Sequence, residues 1–153
     1  MQIVKFVKLK SEAVMSTTLN RNTAAVEHFR HKLEFEIGPV ELKMILEKGE
    51  EVQIVDLRTP ELYKEGHVPK AVLADFKNGF EEFITKLDKD VTTVVYCYNI
   101  TCHLSARAAL YLAERGYKVR ELIGGFDKWA EANFETQKGV KSSSCSTTGG
   151  GCA

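Results

Sequence analysis

Apolar and polar positions alternate along this chain in short blocks, with a two-residue strand period repeatedly giving way to a helical one. The clearest strand pattern is Val91-Thr92-Thr93-Val94-Val95-Tyr96-Cys97, and the clearest helical pattern follows it over Ser105 to Arg115. Upstream, Leu33-Glu34-Phe35-Glu36-Ile37 alternates as a strand and opens the compact domain. Gly38-Pro39 leads into a helix from Val40 to Lys48, with Pro39 suited to its first turn and Gly49 to its end. Val52 to Leu57 reads as a buried strand, Pro60 to Tyr63 as a short helix closed by Gly66, and Phe80 to Leu87 as another helix. Val72-Leu73-Ala74 is a short apolar run between them. Val119 to Leu122 is the final strand, and Gly124-Gly125 turns into a last helix from Phe126 to Ala132.

Strands thus alternate with helices, which predicts an α/β, doubly wound fold: a short, mainly parallel central sheet flanked by helices on both faces. Three regions follow. Residues 1–32 form an N-terminal extension, partly helical around Thr23 to Lys32 with Asn22 as N-cap. Residues 33–138 form the domain, and 139–153 a Ser/Thr/Gly/Cys tail too poor in apolar residues to order itself.

With 153 residues, 44% of them apolar, the chain suffices for one domain with a real core. Lys plus Arg (21) equals Asp plus Glu (21), so overall charge favours neither nucleic acid nor an anionic membrane as partner. Lysines interrupt the apolar residues of the first ten positions, leaving no segment suited to a signal peptide or a membrane span. Four cysteines, two in a central loop and two in the tail, are not the dense framework of a small secreted domain. The expected compartment is therefore the cytoplasm, where a loop thiol stays reduced and reactive.

Cys97 carries the chemistry. It ends a strand and begins the loop Tyr98-Asn99-Ile100-Thr101-Cys102-His103-Leu104-Ser105, which enters a helix. A thiol at such a turn faces free backbone N–H groups and the positive end of a helix dipole, both of which favour thiolate. In parallel sheets ligands bind at the carboxyl ends of strands, so fold and thiol chemistry indicate one location.

Five further segments carry a resemblance. Asp56-Leu57-Arg58, Glu61-Leu62-Tyr63, Gly66-His67-Val68-Pro69, the Tyr96-Cys97 loop and Leu122-Ile123-Gly124-Gly125-Phe126-Asp127-Lys128-Trp129 resemble, in order and spacing, single-domain rhodanese-like proteins over roughly Leu33 to Phe134. Any one segment is ordinary turn chemistry; their ordered combination is specific. The resemblance implies a sulfurtransferase or sulfur carrier in which Cys97 takes sulfur from a donor, holds it as a persulfide and passes it to a small or protein thiol. It implies no metal or organic cofactor.

The loop departs from that family's pattern. Seven residues separate Cys97 from Ser105 where the family usually has five, and no Arg lies among them. The longer loop resembles that of rhodanese-fold phosphatases and arsenate reductases, but at their Arg position stands His103. Oxyanions are best held by backbone N–H groups plus a bidentate, permanently charged guanidinium, which His does not supply. Phosphatase and arsenate reductase chemistry rank third on this ground, and thiosulfate becomes a poorer donor than a thiol or protein persulfide. A catalytically weak binding or redox-sensing module is the second reading.

Cys102 lies five residues after Cys97, placed either to resolve a persulfide or to pack beneath the loop. His103 either assists Cys97 as a proton shuttle or caps the helix. A zinc site of Cys97, Cys102 and His103 lacks the usual paired-cysteine spacing, so no metal is expected. Asp56 with Arg58, His67 and Trp129 read as structural. Cys145 and Cys152 in the tail are either incidental thiols or a relay that visits Cys97.

Overall fold

Among the described residues, five parallel strands lie in the order β1-β5-β4-β2-β3, and every pairing between neighbours is parallel. The strands are β1 (Glu36–Ile37), β2 (Gln53–Asp56), β3 (Val72–Leu73), β4 (Thr93–Tyr96) and β5 (Val119–Leu122). This computed structural model describes residues 22–139; the first part of the extension and the tail with Cys145 and Cys152 lie outside the described residues. The helices are α1 over residues 22–35, α2 (Pro39–Lys48), α3 (Pro60–Glu65), α4 (Phe80–Ile84), α5 (Leu104–Glu114) and α6 (Gly125–Glu131).

Alternate strand residues feed two cores. Ile54, Val94, Tyr96 and Leu122 pack with Leu42 of α2, Tyr63 of α3 and Trp129 of α6. Val55, Leu57 and Val95 pack with Phe80 and Ile84 of α4 and Ala108 and Leu112 of α5. All four residues of β4 are buried, as expected of a central strand covered on both faces. The predicted α/β class with a parallel sheet is the fold observed.

One expectation is corrected. Leu33 to Phe35 do not begin a strand; α1 continues through residue 35, and β1 is only Glu36–Ile37. Asn22 accordingly lies within the helix rather than capping it. The alternation at Leu33 and Phe35 misleads because neither side chain enters the core, being 77% and 51% exposed. The end of α1 is held instead by Arg120 of β5, whose guanidinium donates to the Leu33 carbonyl (3.1 Å), the Glu36 carbonyl (2.6 Å) and Glu41 Oε1 (2.7 Å).

Strand order also creates the functional edge. The chain leaves β2 toward β3 and leaves β4 toward β5 on the other side, so the topological switch falls between β2 and β4 at their carboxyl ends. A buried ion pair closes that point. Asp56, ending β2, accepts from Arg58 Nε (3.1 Å to each carboxylate oxygen), Arg58 Nη2 (2.7 Å), the Arg58 amide (2.9 Å) and the Tyr96 hydroxyl (2.6 Å). Arg58 Nη2 also donates to the Gly66 carbonyl at 2.6 Å, and its guanidinium lies 3.8 Å from the centre of the Phe126 ring. Burial, then the charge of Asp56 and its hydrogen bond, hold the Tyr96 hydroxyl protonated far above the ordinary tyrosine range.

His67 and Trp129 have the structural places expected of them. His67 Nδ1 lies 2.8 Å from the Tyr63 carbonyl, its ring stacks on Tyr63, and its backbone bridges to Gln137. Trp129 donates to the Glu135 carbonyl from within the core.

Because Arg58 and Asp56 are both almost wholly buried, removing one charge strands the other. Asp56→Asn is expected to lower unfolding stability by about 3–5 kcal/mol, read from the shift of the urea midpoint; a loss within the scatter of surface substitutions contradicts this role.

Candidate active site

β4 delivers Cys97 to the switch point directly after Tyr96, and α5 begins seven residues later at Leu104. Between them the loop folds on Asn99. Its Oδ1 accepts from the Thr101 amide (3.1 Å) and hydroxyl (2.7 Å), and its carbonyl accepts from the Cys102 amide at 3.2 Å. This Asx-type turn brings Cys102 back over the strand end. Cys97 Sγ and Cys102 Sγ lie 2.6 Å apart, both as free thiols and about 0.5 Å beyond disulfide length.

The loop is also braced from the far side. The first amides of α6 have no partners within their own helix and donate outward: Phe126 N–H to the Cys97 carbonyl (3.0 Å) and Asp127 N–H to the Tyr98 carbonyl (2.9 Å). That approach demands glycine at 125. Gly125 has φ of +59°, and a Cβ there would lie 2.6 Å from the Cys97 carbonyl oxygen and 2.8 Å from the Tyr98 carbonyl.

The expected thiolate stabilisation does not prevail in this closed loop. The Tyr98 amide does favour thiolate at Cys97, but burial first, and the hydrogen bond with Cys102 second, push the Cys97 thiol up to about 12. Cys97 is 1% exposed, whereas Cys102 is half-buried, so the partner with access to solvent is Cys102.

Other loop residues divide by direction. Tyr98 and Leu104 line a cleft of about 450 Å³, while Ile100 is 74% exposed and Thr101 faces solvent. His103 stands at the N-cap position of α5 but is exposed and makes no capping hydrogen bond with its side chain. Ser105 is buried and donates to Glu121 Oε1 of β5 at 2.6 Å, which ties α5 to the sheet.

The cleft was missed by sequence reasoning. Besides Tyr98 and Leu104 it is lined by Leu57 to Pro60 after β2, by Leu73 at the end of β3 and by Asp75, Phe76 and Lys77 beyond it. Asp75 shapes its wall by accepting from the Lys77 amide (2.8 Å) and from Asn78 Nδ2 (2.9 Å), and these bonds hold its carboxyl below the usual range. The available signal was positional: Asp75-Phe76-Lys77 directly follows a strand end on the ligand-binding edge. Arg58 lines the cleft too, although its guanidinium is committed to Asp56 and Gly66.

A doubly wound parallel domain with its thiol on the turn after the central strand defines the class. Within it, the chain belongs to the rhodanese-like family: the sequence profile of the rhodanese-like domain matches residues 38–132. It is 35% identical over 108 residues to the thiosulfate sulfurtransferase GlpE of Pseudomonas putida, covering 69% of this chain and 96% of that protein. The GlpE of Shewanella oneidensis is 39% identical over 87 residues, 56% of this chain and 83% of the relative. Among solved structures, a Bacillus halodurans protein superposes with a TM-score of 0.72 at 32% identity, covering 76% of this chain and 86% of the other.

Two outcomes test the loop's bracing. Cys102→Ala removes a contact that raises the Cys97 pKa and opens it to water, so the midpoint of Cys97 alkylation against pH, followed by peptide mass, is expected to move down; an unchanged midpoint contradicts the assignment. Gly125→Ala is expected to lower stability by about 1–3 kcal/mol, measured by thermal or urea unfolding, and an unperturbed variant would show that the loop gives way freely.

Proposed function

We propose that the protein is a sulfurtransferase or sulfur carrier acting through a persulfide on Cys97, with a thiol persulfide, small or protein-borne, as donor and a thiol as acceptor. Family membership and relatives named as thiosulfate sulfurtransferases support sulfur transfer. The observation that carries the choice of donor is the makeup of the loop: Cys102 and an exposed His103 stand where an anion-binding guanidinium would be expected, and Arg58 nearby is already held by Asp56. A dianion such as thiosulfate gains little there. The cleft beside the loop is mostly apolar and of a size that accommodates a larger organic donor, with Lys77 at its wall to meet a carboxylate.

In this reading the donor displaces the Cys102 contact, the Cys97 thiol loses its proton to solvent, and the thiolate attacks the outer sulfur of the donor. The Tyr98 amide and the start of α5 then favour the anionic persulfide. The burial of Cys97 also favours a second reading, a rhodanese-like module without turnover that reports thiol redox state.

Rapid alkylation of protein mixed with glutathione persulfide separates the two. A gain of about 32 Da, one sulfur, on the Cys97 peptide is expected in the first phase of reaction. It is absent in Cys97→Ser. With thiosulfate the same adduct forms slowly, and His103→Arg accelerates it about tenfold or more by restoring the guanidinium. Wild type that loads equally fast from both donors overturns the donor assignment, and wild type that never loads leaves the redox module.

A further inference from the structure

Cys102 forms no bond in the sulfur-loading step, yet the fold brings its sulfur to 2.6 Å from that of Cys97. The contact is built rather than incidental. Cys97 is fixed by β4 and by the Phe126 amide on its carbonyl, Cys102 by the Asn99 turn and the start of α5, and the two Sγ atoms meet at 2.6 Å. Attack geometries for reacting atoms lie at about 3–3.5 Å, so the pair already stands within reach.

From this contact, and resting on the persulfide reading above, we infer that Cys102 is the resolving thiol of the site. Cys102 attacks the inner sulfur of the Cys97 persulfide, forming a Cys97–Cys102 disulfide and releasing the outer sulfur as hydrosulfide. The Sγ–Sγ bond forms as the bond from Cys97 Sγ to the outer sulfur breaks. The two cysteine thiols are oxidised to a disulfide, and the transferred sulfane sulfur is reduced to hydrosulfide, which keeps the electron pair of the broken bond. The proton lost by Cys102 ends on hydrosulfide or solvent. A low-molecular-weight monothiol, two equivalents per cycle, then reduces the disulfide and becomes its own disulfide. The protein is thereby a thiol-dependent sulfide-releasing enzyme as well as a carrier.

The alternative attack, on the outer sulfur, would move the persulfide onto Cys102 and expel Cys97 as thiolate. Burial makes that thiolate a poor leaving group, and hydrosulfide leaves more readily. The inner-sulfur route is therefore the one the site favours. The exposure of Cys102 relative to Cys97 also places the disulfide's more accessible sulfur toward the reducing thiol.

The test uses the full chain carrying Cys145→Ser and Cys152→Ser, so that the pair supplies the only thiols. Reduced protein is loaded with glutathione persulfide, freed of small thiols, and followed by sulfide assay and peptide mass. In this background the Cys97 adduct is expected to decay with release of one sulfide per protein and appearance of a Cys97–Cys102 crosslink. In Cys102→Ser the adduct persists, and sulfide release slows about tenfold or more; Cys102→Ala serves equally should the serine variant fold poorly. A persistent adduct in the presence of Cys102, or a persulfide found on Cys102, overturns the resolving role while leaving sulfur loading intact. Failure of Cys102→Ser to load at all counts instead against the Cys97 persulfide itself.

Discussion

The buried carboxylate of Asp56 is the point on which the site depends. It ends β2, takes the side chain of Arg58 and the hydroxyl of Tyr96, and so joins the carboxyl ends of the two strands between which the topology switches. Arg58 extends the junction to the Gly66 carbonyl and the face of Phe126, and Tyr96 accepts from the Val68 amide at 3.2 Å. A charge this deeply placed is tolerable only while every partner stays in position. Because Tyr96 immediately precedes Cys97, the same constraint positions the Cys97 thiol.

Against that fixed strand end the loop is held from two sides. α6 grips its first residues through amide donors and a glycine with no room for a side chain, while the Asn99 turn folds its second half back. The result is a closed dithiol rather than an open anion cradle. The Asn99 turn is what returns Cys102 to Cys97.

Most of the fold was legible because strand and helix periods were clean where both faces are buried. β5 and α5 stand within a residue of their expected limits, and β4 shortens only at its ends. Leu33 to Phe35 misled because a two-residue alternation over so short a stretch also fits a helix running on, and the residue that ends that helix, Arg120, is distant in sequence. At the site, Cys97 and the spacing to Cys102 were visible, as were the missing guanidinium and the structural places of Asp56, Arg58 and Trp129. Burial of the thiol was not, since it arises from contacts among loop, α6 and Cys102 that no local pattern encodes. The Asp75 to Lys77 wall was signalled only by its place just beyond a strand end, and the same limit hid the role of Glu121 as partner to Ser105.

The unequal exposure of the two sulfur residues sets an order of encounter for anything arriving from outside. Oxidants and electrophiles reach the half-buried Cys102 before the nearly inaccessible Cys97. Damage is thus steered to Cys102 and away from the thiol at the strand end, so that accessibility and placement at the switch point are divided between the two sulfurs.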